Sequence, residues 1–386
     1  MKKQQEKIFS RVRRILCTFL ILFMTIYPLH IAMDENNVQC ETYILDNGWN
    51  AIAHGKTFEN ITLSETIFEM FGKEDTLVLK RTILEDEPLI SNPILKVNSY
   101  YSIVDVYLDN ELIYTYGREF YEKKKLVGYG TNFVELPEKY TGKELRIEYS
   151  VTENNAFEMI EPFTIADGNF IMQKEMAMAS SDLAMVLFLI VFGMICMMVC
   201  LFIGRHHSYF ITTLAIGMFS YLIGAWILCN NNLIIFVGTN LSIKTTIEYT
   251  TLYVLPITFM LYFYNRIKMG VLPKFVVLYY KILFGVQIIF AVGSYTLHIL
   301  GIVFLPTWVL LVRVIIGLTA VFLVMLMVCD YRLTGKVNTI ISTPFVLGIL
   351  MIILELINHH ISERITGAKS HQYSNTLLIA ALLIVF

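Results

Sequence analysis

Ile103-Val104-Asp105-Val106-Tyr107-Leu108, then Asp109-Asn110, then Glu111-Leu112-Ile113-Tyr114-Thr115-Tyr116-Gly117 sets two alternating apolar and polar runs on either side of a two-residue break. Alternation with period two is the pattern of a half-buried strand. Asp and Asn both tolerate positive φ, so the stretch predicts a tight hairpin. The same period recurs over residues 76–84 and 143–151, where Leu145, Ile147 and Tyr149 fall on one face. No convincing helical repeat interrupts this region. Residues 34–176 are therefore expected to form one all-β domain, a sandwich or jelly roll, with ample length for a single core.

Outward from this domain the chain turns apolar. Residues 1–33 carry Lys2, Lys3, Lys7, Arg11, Arg13 and Arg14 ahead of an apolar run at 15–33. Basic residues stay on the cytoplasmic side, so this run is expected to enter the membrane as a signal anchor or signal peptide with its N-terminus inside. Residues 177–386 are expected to form a seven-helix transmembrane bundle with segments near 183–204, 208–228, 245–264, 275–299, 308–329, 339–357 and 373–386. The first six are long enough to cross roughly 30 Å of hydrocarbon. Alternating crossings place Arg205, Arg266, Lys268, Lys274, Arg332 and Lys336 inside, and few basic residues outside (Lys244, Arg364 and Lys369), as the charge bias of inner loops requires. The seventh segment is short, about 21 Å of helix, and the expectation is of a chain cut before a cytoplasmic output domain. The fold class expected is thus an α+β membrane protein: an anchor, an extracytoplasmic β domain and a multi-pass bundle in the cell membrane.

Of the 32 acidic residues, 26 lie in the stretch 34–175, against 13 Lys and Arg there, while the whole chain has net charge −2 and mean hydropathy +0.60. An acidic, water-facing domain joined to a nearly uncharged remainder offers no basic face for phosphates, which disfavours nucleic acid as a partner. Only Cys40 of the six cysteines lies in the exported stretch, so no disulfide can close within it. Cys196 and Cys200, one helical turn apart in an apolar segment, read as packing residues. His359, His360 and His371 lack the spacing of a zinc site, and no nucleophile triad, phosphate loop or HExxH helix is present. No cofactor, metal or catalytic residue is expected.

Val106-Tyr107-Leu108-Asp109-Asn110-Glu111-Leu112-Ile113-Tyr114-Thr115-Tyr116-Gly117 resembles a stretch of the exported domains of bacterial seven-transmembrane receptors with diverse intracellular signalling modules. The resemblance extends to Asn132-Phe133-Val134-Glu135-Leu136-Pro137 with Gly142-Lys143-Glu144-Leu145, and to Ile165-Ala166-Asp167-Gly168-Asn169-Phe170 before the first of the seven helices. It implies a galactose-binding-like jelly roll outside, a relay bundle, and a diguanylate cyclase of the GGDEF type inside, acting as a homodimer. No Gly-Gly-Asp/Glu-Glu-Phe signature occurs in these residues, so cyclase chemistry is not assigned to them.

Two sets of residues are candidates for function. Trp49, Tyr100, Tyr101, Tyr114, Tyr116, Tyr121 and Tyr129 could stack on a small extracellular ligand, a carbohydrate being the suggested class. Glu248, His298, Arg313 and Glu355 are ionisable groups placed toward the outer ends of four membrane segments, where each is costly unless paired or hydrated. Arg313 is expected to pair with Glu248 or Glu355 and so couple the outer domain to the bundle; ordinary snorkelling is the competing reading. The alternative to a receptor is a polytopic transporter or membrane-embedded transferase with a β-rich outer domain. The apolar midplane weighs against it. A third reading is a decoy or heteromeric partner of a longer relative.

Overall fold

A computed structural model describes residues 41–334 apart from 155, 204–209, 232 and 239. The expected segment at 15–33 and the crossings expected at 339–357 and 373–386 lie outside the described residues.

Among the described residues ten strands build the N-terminal part: β1 (Thr42–Leu45), β2 (Trp49–Ala53), β3 (Lys56–Ile61), β4 (Thr76–Thr82), β5 (Pro93–Tyr100), β6 (Ser102–Leu108), β7 (Glu111–Tyr116), β8 (Tyr129–Glu135), β9 (Glu144–Val151) and β10 (Phe163–Asp167). They form two antiparallel sheets, ordered β1-β10-β5-β8 and β3-β2-β4-β9-β6-β7. Alternate residues point inward, as the pleat dictates. Leu95, Val97 and Val134 from the smaller sheet and Leu77, Leu79, Val104 and Ile147 from the larger meet in one buried cluster. Each such aliphatic side chain contributes about 1.5–3 kcal/mol on burial.

The hairpin forms as predicted, with Leu108 opposite Glu111. Of its two turn residues only Asp109 is left-handed, at φ 55. A bulge beside Val106 leaves Ile113 without an opposite number. One helical piece was not expected here: α1 (Arg118–Glu122), which follows Gly117 at φ 90 and carries a Glu119–Lys123 ion pair one turn apart. It explains a buried carboxylate. Asp105 accepts hydrogen bonds from Arg118 Nη2 at 2.6 Å and Thr115 Oγ1 at 2.6 Å on the side of β6 away from the core.

The helices are α2 (Ile171–Ile203), α3 (Phe210–Asn230), α4 (Leu241–Tyr262), the short α5 (Tyr264–Lys268), α6 (Lys274–Ile299) and α7 (Val309–Thr334). The first five expected crossings fall on α2, α3, α4, α6 and α7. Among the described residues four stretches are long and apolar enough to span a membrane: Asp182–Phe202, Phe210–Asn230, Lys274–Ile299 and Leu305–Leu333. The chain is accordingly a multi-pass membrane protein with a β-rich N-terminal part. Helix α4 has the length but carries Lys244, Glu248 and a series of threonines and tyrosines that lower its hydropathy. It is nevertheless central. Leu255 and Phe259 pack into the cluster shared with α2 and α3, Met260 into the one with α6 and α7, and Tyr253 into the one with Leu305 and Val312. Gly193 and Gly217 let α2 and α3 approach closely, since a Cβ on Gly193 would lie 2.7 Å from the Gly217 carbonyl.

Candidate functional site

Where β5 ends and β8 begins, Tyr100 stands opposite Tyr129, and the chain turns at Tyr101, whose backbone N–H donates to the Gly128 carbonyl at 3.0 Å. This end of the smaller sheet rests on the first two turns of α4. Asn240 caps that helix by accepting from the Ile243 N–H at 2.8 Å, starting it at Leu241 rather than at 245 as expected. Four residues then share one face by helical spacing: Lys244, Thr245, Glu248 and Tyr249. The N–H of Tyr129 donates to Thr245 Oγ1 at 3.2 Å, and the Tyr129 phenol donates to Glu248 Oε1 at 2.5 Å. Tyr101 and Tyr249 join hydroxyl to hydroxyl at 2.7 Å.

Lys244 is completely buried at this junction. Its Nζ donates to the Tyr129 carbonyl at 3.2 Å, lies 3.8 Å from Glu248 Oε2 and sits 3.6 Å from the centre of the Tyr129 ring. An ammonium removed from water is tolerable only with several such partners, and here a carbonyl, a carboxylate and a π face supply them. Glu248 is less well served, because Oε2 is buried without a hydrogen bond. Burial, reinforced by the Glu248 carboxylate, pushes the Tyr129 phenol well above its usual range. Burial and the neighbouring Tyr249 raise Tyr101 likewise. Both phenols therefore remain protonated at physiological pH.

The fit is also steric. A Cβ on Gly128, which has φ +85, would lie 2.4 Å from the Leu241 carbonyl oxygen, so only glycine lets the β8 entry close on the helix. Two further links join the domain to the helices. Lys96 pairs with Glu175 in the first turns of α2 at 2.5 Å. A Cβ on Gly301, in the turn after α6, would come within 2.9 Å of the Lys124 carbonyl.

The expected aromatic set disperses over the domain. Trp49 is wholly in the core, with Nε1 donating to the Leu45 carbonyl at 3.0 Å and its ring against Phe163. Tyr100 packs on Phe157. Tyr114 donates to Asn132 Oδ1 at 3.1 Å and Tyr116 to the Val127 carbonyl at 2.7 Å. Tyr121 is exposed, and Tyr101 and Tyr129 belong to the junction with α4. No shared stacking platform results.

Of the expected ionic cluster, Glu248 is at the junction. Its partners are Tyr129 and Lys244, not Arg313, which is exposed on α7 and forms no ion pair with Glu248. His298 contacts Thr246 Oγ1 at 3.2 Å and the Phe304 ring, again at the N-terminal half of α4. Glu355 lies outside the described residues, as do His359, His360 and His371. Lys244 escaped sequence reasoning because it was assigned to an outer loop. The signal was its i, i+4 spacing to Glu248 just after an Asn cap.

Among the described residues no group of three or more His, Cys, Asp or Glu side chains is arranged to hold a metal ion. No protein-family model matches the chain, and no curated protein matches it.

Proposed function

We propose that the chain is the input and relay part of a bacterial plasma-membrane receptor. The β domain, read as a galactose-binding-like jelly roll on the outer side, takes a small extracellular ligand, with a carbohydrate as the leading class. A bundle of seven helices passes its change of shape to a cytoplasmic output module, which in the receptors the sequence resembles is a diguanylate cyclase. The chain itself is read as performing no chemistry and as working in pairs.

The observation that carries this reading is the docking of Tyr129 and Tyr101 on α4. A scaffold that merely tethered a domain would be served by apolar contacts. Here a lysine and a glutamate are buried instead, an arrangement that costs stability and is best attested where it specifies one of two registers. The helix so contacted packs into three separate clusters of the bundle, so a tilt of α4 repacks all of them. A ligand that favoured one seating of the β domain would thereby bias the bundle.

The transport alternative gains little. Gln287, midway along α6, hydrogen-bonds Thr319 of α7 at 2.9 Å, and both side chains are buried between the helices. The test uses the full chain in lipid nanodiscs with a fluorophore on the exposed Ile44→Cys position and another on α6. A sugar that binds should change energy transfer between them. Accumulation of that sugar in proteoliposomes, without such a change, would replace the receptor reading by transport.

A further inference from the structure

A second site lies at the far end of the domain. Where β4 leaves the larger sheet, a cleft of about 480 Å³ opens, within the size range of small-molecule sites. Its walls include Asn47, Asn50, Asn60, Lys80, Arg81 and Glu144. Two of the amides are half committed. Asn50 Oδ1 accepts from the Asn60 N–H at 3.0 Å, and Asn47 Oδ1 accepts from Thr62 Oγ1 at 2.8 Å, which leaves both NH2 groups as donors. Lys80 stands opposite Arg146 on β9 and makes no ion pair among the described residues. Arg81 is the more telling group. Its side chain is only 10 % exposed and its Nη2 is paired with Glu87, yet the buried Nη1 has no partner. Gly48, at φ +79, lies beside this side chain, where a Cβ would stand 3.8 Å from Arg81 Nε.

The lining thus offers amide, ammonium and guanidinium donors around one carboxylate acceptor, with no aromatic ring. A bare anion would face Glu144, and a purely apolar ligand could cover Leu84 but would leave the amides and cations without acceptors. A hydroxyl-rich molecule suits it, because each hydroxyl can donate to Glu144 while accepting from an amide or cation.

We infer that this cleft is the binding site for a neutral mono- or disaccharide, recognised through its hydroxyls and not by ring stacking. The ligand class rests on the receptor reading, and the location does not. The site is also mechanically connected. β9 runs from Glu144 at the cleft to Val151, which pairs with Ser102 beside Tyr101, a strut of about 25 Å to the junction with α4.

The test is calorimetric titration of the full chain in nanodiscs with a panel of neutral mono- and disaccharides, glucuronic acid and inorganic phosphate. The expected result is binding of a neutral sugar, weakened at least tenfold by Lys80→Ala with Asn50→Ala and independently by Glu144→Gln. Each variant is checked for an unchanged thermal transition. Binding that survives these variants would place the sugar elsewhere and overturn the inference while leaving the receptor reading intact. Phosphate binding alone, or no binding across the panel, would overturn the assignment of ligand class. Sugar binding at the cleft without any change in energy transfer to α6 would uphold the site and count against the relay.

Discussion

The phenol of Tyr129, on the β domain, donates a 2.5 Å hydrogen bond to the carboxylate of Glu248, on α4, across the seam between domain and helices. Lys244 closes the other side of the same carboxylate at 3.8 Å and stacks over the same ring. The three groups form one unit: removing any of them leaves a buried charge short of a partner.

Tyr129→Phe should therefore destabilise the solubilised chain by about 1.5–3 kcal/mol, the range for a hydrogen bond to a charged group. In the Glu248→Gln background the same change should cost less, with a coupling on the order of 1 kcal/mol or more in a double-mutant cycle. Thermal unfolding in detergent measures all four corners. Strict additivity would mean that the two side chains do not act on each other.

Glycines discriminate fit from strain. Gly55 has φ +73 and open space around it, so Gly55→Ala should cost only the left-handed penalty of roughly 1–2 kcal/mol. Gly128→Ala adds a collision with the Leu241 carbonyl and should cost more than about 4 kcal/mol or undock the domain. Limited proteolysis of the two variants, read at 101–131, compares them directly. Equal protection would contradict the close approach.

How far the sequence foretold this is uneven. The 103–117 hairpin, the inward faces of β4 and β9, and four apolar helices of membrane-spanning length were legible, because period two and long apolar runs are local signals. α1 was not, since five residues are too few to show a helical period and Gly117 supplies the turn through backbone freedom alone. The aromatic set was misleading for a related reason. Tyr101 and Tyr129 look like any strand tyrosines until the sheet end is seen to meet α4, with partners 115 to 148 residues away in sequence. Arg313 was paired with Glu248 on depth alone, while the helix face that joins Lys244 to Glu248 decides that carboxylate's partner; the alternative partner, Glu355, lies outside the described residues.

Stability should depend on Glu153 between pH 4.5 and 7. Burial raises its carboxyl from the ordinary 4.5 to about 7, with Lys73 opposing. The folded state thus holds its proton more tightly than the unfolded chain. The contribution is fully present below about 4.5 and is lost as pH rises through about 7. Glu153→Gln should flatten the melting temperature across that window. An unchanged pH profile in the variant would exclude Glu153 as its source.

Gln287→Leu should be nearly silent, within about 1 kcal/mol. It removes a buried oxygen that has no hydrogen bond, and Thr319 keeps its own bond to the Ile315 carbonyl at 2.8 Å. Unfolding by heat in detergent reads this. A large loss of stability would show that the pair organises the bundle.

The seating of the β domain on α4 is tested most directly by light-driven cross-linking in native membranes. With a benzophenone amino acid replacing Tyr101, the account predicts a cross-linked peptide from 241–253, reduced when Gly128→Ala is added. Cross-links confined to lipid or to the β domain itself would contradict it.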